Sequence, residues 1–188
     1  MEKERYITAS AAAAELGVSL RGLRHLSLAS LLPTKPLEIG RQKLYLSTEV
    51  KLLSKRPRVL KPYPRAFVAR VLSKEDAPES DRKFVGFTAG AYDEDASPEE
   101  NEEHRVRALA GWWPCKNPYE QVGNPLVLTL SSFVVATFTI TGPGEYHSGR
   151  HRFDVTPHVD PETAQRFNER RLLLPKGPVA LSIGPDMV

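Results

Sequence analysis

Apolar residues near the start of the chain follow the spacing of two short helices. An alanine-rich run, residues 11–16, stops at Gly17, and Ser19 precedes a second run. Gly17 suits the left-handed backbone conformation that ends a helix, and the Ser19 hydroxyl can cap the next helix by accepting a backbone N–H. The pattern therefore predicts a helix, a tight turn and a second helix.

The second predicted helix has an apolar face and a basic face. Its apolar residues recur every three positions and are expected to face a core: Leu20, Leu23 and Leu26. The residues expected to point outward are Arg21, Arg24 and His25. Arginine commonly contacts phosphates and guanine edges, so this face is a candidate for DNA recognition.

A hairpin and a third helix are predicted next. Residues 35–46 form two short strands around Gly40, and the turn and second strand begin with Arg41, Gln42 and Lys43. Ser47 is expected to cap the third helix. The apolar residues of this helix are expected to close the small core: Val50, Leu52 and Leu53.

Residues 6–50 resemble the winged helix-turn-helix of the MerR and excisionase superfamily. The resemblance implies a DNA-binding domain over residues 1–56, with the second helix in the major groove and the hairpin on the adjacent backbone. By position it implicates Ser19, Arg21, Arg24, Arg41 and Lys43. Two features depart from the family: Ala29 and Ser30 stand where a polar-glycine pair is usual, and the long dimerising helix is missing.

A basic, proline-rich segment is predicted to link two domains. Prolines prevent a helix in residues 57–65, which favours an extended connector. Its basic side chains are Arg58, Lys61 and Arg65. They either lie along DNA phosphates beside the hairpin or are simply solvated.

Short apolar strands dominate residues 66–188. Strands are predicted over 66–72 and 84–92, separated by the polar stretch 73–83. A helix is predicted over 98–110, because Ser97 as cap and Glu100 three residues later form a capping box around Pro98.

The remaining elements complete a small second domain. Residues 125–141 predict a hairpin that turns at Ser131 and Ser132, followed by a loop over 142–149. A strand over 150–159, a short helix over 161–171 and a strand over 179–183 follow. The predicted fold class is α+β: a winged helix-turn-helix followed by a small, curved β-sheet or barrel with two short helices.

The order of these elements resembles, weakly, the small β-barrels of the PUA and EVE type. Members commonly hold nucleic acid or an unusual base in a pocket beside the barrel. The resemblance implies a base or ligand pocket formed by Trp112, Trp113, Tyr92 and Phe87. The alternative is that the adjacent tryptophans anchor the preceding helix on the sheet.

Charge is divided unevenly along the chain. Residues 1–65 hold 13 lysines and arginines against 5 acidic residues, whereas residues 66–188 hold 13 against 18. Only the first part is suited to a polyanion, and the acidic second part argues against an extended phosphate-binding surface there. A single cysteine, the lack of a long apolar run and the polar N-terminus predict a cytoplasmic protein without a membrane segment.

The sequence shows no pattern typical of an enzyme or a metal site. His147 and His151 lie four apart but flank Gly149 in a predicted loop, and no further Cys or His pair completes four zinc ligands. Cys115 beside Lys116 has no recognisable histidine–acid pair, and phosphate-binding glycine motifs are missing. No cofactor, metal or catalytic residue is therefore predicted.

Together these patterns predict a sequence-specific double-stranded DNA-binding protein that acts as a transcriptional regulator, and they favour a repressor. One alternative is an excisionase-like architectural factor that bends DNA for a recombinase. Another is a reader of modified bases or ligands that the winged helix tethers to DNA. Because one small winged helix covers about one half-site, a second copy or another protein on the DNA is a further candidate partner.

Overall fold

The computed structural model describes residues 5–77 and 82–187 and confirms the α+β class. The helices are α1 Ala9–Leu16, α2 Leu20–Leu28, α3 Ser47–Ser54, α4 Pro98–Leu109 and α5 Pro161–Phe167. The strands are β1 Tyr6–Thr8, β2 Leu37–Ile39, β3 Gln42–Leu46, β4 Ala66–Arg70, β5 Glu75–Asp76, β6 Phe84–Val85, β7 Trp113–Pro114, β8 Pro125–Leu130, β9 Phe133–His147, β10 Arg150–Thr156 and β11 Ala180–Ile183. A 3₁₀ turn spans Pro118–Gln121.

Residues 5–56, which we call the N-terminal unit, combine α1, α2 and α3 with the antiparallel sheet β1-β3-β2. Their core is apolar and nearly free of solvent, with Leu16, Leu26 and Val50 at 0 % exposure. Leu52 was expected in this core but is 74 % exposed. At 100° per residue Leu52 lies 200° from Val50, so it faces the opposite side of α3.

The start of α3 also differs from the prediction. Ser47 is the first helical residue and is buried, while Leu46 occupies the cap position without a side-chain hydrogen bond. The Ser47 backbone N–H instead donates to the Arg5 carbonyl oxygen at 2.8 Å. Pairing of β3 with β1 therefore fixes this end of the helix.

Residues 66–187, which we call the sheet unit, form a nearly closed, barrel-like sheet of six strands in the order β11-β4-β8-β9-β10-β7. Strands β4 and β8 are parallel and the other pairs are antiparallel. The capping box at Ser97 and Glu100 is present at the start of α4, as predicted. Strands β5 and β6 form a separate two-stranded ribbon. Residues 78–81 of the predicted polar stretch lie outside the described residues.

Two strand predictions in the sheet unit were wrong in extent. The loop expected over 142–149 belongs mostly to β9, which continues to His147 and turns at Ser148 and Gly149. A Cβ on Gly142 would lie 2.5 Å from the Asp154 carboxylate, so the glycines here permit close strand pairing. Of the strand expected over 84–92, only Phe84–Val85 forms a strand, and Phe87 adds an isolated bridge to Ser73.

The two units share one hydrophobic cluster. Leu16 and Leu23 of the N-terminal unit belong to the same set of contacting buried residues as Leu130 and Phe133 of the sheet unit. Within residues 5–77 and 82–187, no helix has both the length and the apolar character needed to cross a membrane.

Candidate nucleic-acid interface

Local sequence positions α2 as predicted. Gly17 adopts φ +61° and its N–H donates to the carbonyl oxygens of Ala13 and Ala14, which ends α1. The Ser19 hydroxyl accepts from the Gly22 N–H at 3.0 Å and caps α2. The two helices are therefore joined by a turn of three residues.

One face of α2 remains open to solvent. Arg21 and Arg24 are exposed, and neither side chain forms a hydrogen bond or ion pair with another described residue. Leu20, expected in the core, is 57 % exposed and lies on this face. Three-residue steps advance 300°, so Leu20 is rotated 120° from Leu26 and leaves the buried side.

The neighbouring flank of α2 packs against the sheet unit. The imidazole Nδ1 of His25 lies 3.0 Å from the Ser73 hydroxyl, and the Ala89 N–H donates to the Ala29 carbonyl at 2.9 Å. The expectation that His25 points outward was therefore wrong. Burial, followed by the positive charge of Arg21, lowers the pKa of His25, while Glu75 opposes this change and Arg24 adds to it.

The hairpin β2–β3 carries its predicted polar residues on the surface. Gly40 turns the chain with φ +61°, and the residues that follow it are all exposed: Arg41, Gln42 and Lys43. Lys43 pairs with Glu38 across the strands at 2.9 Å, which partly satisfies its charge. Among these three, Arg41 is the cation for which the described residues supply no partner.

The basic segment 57–65 alternates between buried and exposed side chains. Val59 and Tyr63 are buried against the sheet unit, while the side chains expected on phosphates are exposed: Arg58, Lys61 and Arg65. The Val59 N–H donates to the Arg171 carbonyl at 2.8 Å. This extended segment is therefore docked, with its positive charges directed to solvent.

Arg171 joins the units, and no sequence pattern pointed to it. Its Nη2 donates to the Leu16 carbonyl at 2.7 Å and to the Ser132 hydroxyl at 3.3 Å. Its guanidinium lies 4.6 Å from the Phe133 ring centroid. Arg171 thus connects the end of α1 to the β8–β9 turn, a contact between residues 155 positions apart that no local pattern signals.

The tryptophans occupy different environments beside one cavity of about 420 Å³. Trp113 is 9 % exposed and its Nε1 donates to the Leu109 carbonyl at 3.1 Å, so it packs β7 against α4. Trp112 is half-buried, and the Arg152 guanidinium lies 5.5 Å from its ring. Three arginines line the same cavity: Arg70, Arg82 and Arg150.

The other two pocket candidates do not line this cavity. Tyr92 is 2 % exposed, its hydroxyl donates to the Gly86 carbonyl at 2.8 Å, and burial raises its pKa. Phe87 is buried and lines a different cleft. The structure thus brings together Trp112 and Trp113 but separates them from Tyr92 and Phe87.

The cavity beside Trp112 adjoins α2. Ser73 lines the cavity and also contacts His25.

Elsewhere, burial raises the pKa of the Cys115 thiol, which disfavours the reactive thiolate. Over the described ranges no three His, Cys, Asp or Glu residues are grouped so that they could hold a metal ion.

Comparison with known proteins gives no significant match to a family model, a curated protein or a solved structure.

Proposed function

We propose that this protein binds double-stranded DNA sequence-specifically and regulates transcription as a repressor that occupies its site. The N-terminal unit acts as a winged helix-turn-helix in this proposal: α2 enters the major groove and the β2–β3 hairpin lies along the neighbouring backbone. The observation that carries the proposal is the open face of α2, where Arg21 and Arg24 project without partners among the described residues.

The roles of the basic residues follow from their surroundings. Arg21 and Arg24 are free to form bidentate hydrogen bonds with guanine, which makes them the candidates for base contacts. Arg41, on the hairpin, and the exposed Arg58, Lys61 and Arg65 are suited to phosphates, which position a protein without specifying sequence. His25 is held by Ser73 and contributes instead to the placement of α2.

A second candidate function is the reading of a modified base or another ligand by the sheet unit. It is favoured by the cavity that contains Trp112 and three arginines and that meets α2 at Ser73. An aromatic ring next to cationic groups suits a planar, electron-rich ligand such as a nucleobase. In this alternative the N-terminal unit tethers the protein to DNA.

Selection of binding sites from random duplexes, followed by sizing of the complex, tests the first proposal. We expect one enriched motif, and Arg24→Ala should lower affinity for it by about 1–3 kcal/mol and relax preference at one or two positions. Arg107→Ala, an exposed arginine on α4, is the matched control and should leave the motif unchanged. Failure to enrich any motif would contradict sequence-specific binding.

Trp112→Ala separates the two candidate functions. A regulator that reads DNA through α2 should keep its motif and its affinity for unmodified duplex in this variant. If the sheet unit reads a base, affinity should fall by about 1–3 kcal/mol, the loss typical of removing one stacking side chain.

A further inference from the structure

A second cleft lies between the two units, away from the cavity beside Trp112. It encloses about 430 Å³, within the range of small-molecule sites. Leu31, which follows α2, and Arg56, which follows α3, form the wall from the N-terminal unit. The opposite wall belongs to the sheet unit and includes Phe87, Arg105, Val135 and Glu169.

Arg56 is the distinctive residue of this cleft. Its side chain is half-buried, and its guanidinium forms no hydrogen bond or close ion pair with any described residue. Burial lowers its pKa, and Glu169 opposes this change as a more distant negative charge. A partly desolvated guanidinium that retains its fork of N–H donors is suited to a carboxylate, which it can bind through two parallel hydrogen bonds.

Arg105 places a second cation on the opposite wall. Two hydrogen bonds to the Glu102 carboxylate, at 2.8 and 3.1 Å, and a position 5.2 Å from the Phe138 ring centroid hold it in place. This guanidinium is already oriented, so a ligand need not order it on binding. The remaining lining contains apolar side chains and the polar side chains of Thr137 and Asn168; the apolar ones include Leu31, Phe87, Val135, Pro157 and Val159.

We propose that this cleft binds a small carboxylate with an apolar body, whose carboxylate pairs with Arg56 and whose body packs on Leu31, Phe87 and Val135. Arg105, already paired with Glu102, forms a fixed wall on the far side, and Glu169 competes with the ligand for Arg56. A ligand in this position touches both units at once and stabilises their contact. Control of DNA affinity by such a ligand rests on the proposed function, whereas binding of the ligand does not.

The test uses the full chain and phenylacetate as the probe, followed by amide NMR shifts and calorimetry. Phenylacetamide, which has the same body without the charge, is the matched ligand control. We expect saturable shifts with phenylacetate at residues that line the cleft and much weaker shifts with phenylacetamide. Arg56→Gln should weaken phenylacetate binding about tenfold or more, because a charged hydrogen-bonding partner is lost.

Three further variants separate recognition from folding. Arg56→Lys keeps the charge but not the fork, so its affinity should fall between those of the native protein and Arg56→Gln. Glu169→Gln should bind up to about fivefold more tightly, since a competing charge at the surface is removed. Lys55→Gln removes an exposed charge next in sequence, outside the cleft, and should bind as the native protein does.

Each outcome either supports or contradicts the proposed carboxylate site. Graded loss from Arg56→Lys to Arg56→Gln, with melting temperatures close to that of the native protein, supports the site. Equal affinity for phenylacetate and phenylacetamide, unchanged affinity in Arg56→Gln, or no saturable shift at about 10 mM ligand overturns it. Because DNA is absent from these measurements, their failure does not bear on DNA binding.

Discussion

Gly22 offers a sharp test of how α2 packs against the sheet unit. It lies in the first turn of α2, where its N–H is capped by Ser19. A Cβ built on Gly22 would lie 2.8 Å from the hydroxyl oxygen of Ser131 and 3.3 Å from its Cβ. Gly22→Ala therefore introduces a methyl group where the β8–β9 turn already stands.

Two opposing effects set the change in stability that Gly22→Ala causes. Replacing glycine by alanine in a helix stabilises a protein by about 0.5–1 kcal/mol when the site is open. Forcing an extra methyl group into a packed contact costs about 1–3 kcal/mol. The steric cost exceeds the helix gain, so we expect Gly22→Ala to destabilise the protein by about 1 kcal/mol.

The Ser131→Gly substitution reverses the expected sign of the stability change that Gly22→Ala causes. Ser131 and Ser132 form a two-residue hairpin turn with φ +49° and +77°, a conformation that glycine adopts readily. Removing the Ser131 side chain leaves the Ser19 hydroxyl, at 3.4 Å, as the nearest contact for the new methyl group. In the Ser131→Gly background, Gly22→Ala should therefore stabilise the protein by about 0.5–1 kcal/mol.

Urea unfolding of the four proteins measures this double-mutant cycle. The structure predicts a coupling energy of about 1–3 kcal/mol between the two sites. If Gly22→Ala stabilises both backgrounds by the same amount, α2 does not pack on the β8–β9 turn. The close contact between Gly22 and Ser131, on which this prediction rests, would then be refuted.

Four further predictions concern the candidate sites. Arg24→Ala should lower affinity for a selected DNA motif by about 1–3 kcal/mol, measured by titration against motif and scrambled duplexes. Arg41→Ala should weaken binding to all DNA sequences alike and lower the slope of log affinity against log salt by about one unit. An unchanged slope would show that Arg41 does not contact a phosphate. Trp113→Ala should destabilise the sheet unit by about 3–5 kcal/mol, whereas half-buried Trp112→Ala should barely change the melting temperature. The pKa of His25 is lowered in the folded protein, so the folded state takes up this proton less readily than the unfolded state does. The free energy of unfolding should therefore fall as pH drops below about 6.5. An NMR titration of the imidazole checks the pKa, and urea unfolding at several pH values checks the stability.

Features that depend on neighbouring residues in the chain were predictable from the sequence. The Gly17 turn, the Ser19 cap, the capping box at Ser97 and the Ser131–Ser132 turn all arise from interactions within a few residues. Backbone conformation and local hydrogen bonds decide them, and these act before any tertiary contact is made. The role of Arg24 at an interface stays a prediction.

Contacts between distant segments were not predictable in the same way. The sequence predicts that His25 lies on the surface, because it follows Arg21 by about one helical turn. In the structure it contacts Ser73, which is 48 positions away. Arg171 stands in a run of basic and apolar residues that gives no sign of a contact with Leu16. Helix periodicity assigns a face to each residue but not what covers that face.

The same limit applies to charge, and it changes how the acidic sheet unit is interpreted. Its excess of acidic residues argues against an extended phosphate-binding surface, but a net charge averages over opposite faces. Four of the acids lie on α4, where Glu99, Glu102 and Glu103 line a surface groove of their own. The cavity that meets α2 at Ser73 has three arginines against Glu75. Positive charge is therefore not confined to the N-terminal unit, because the part of the sheet unit that contacts α2 through Ser73 also carries arginines.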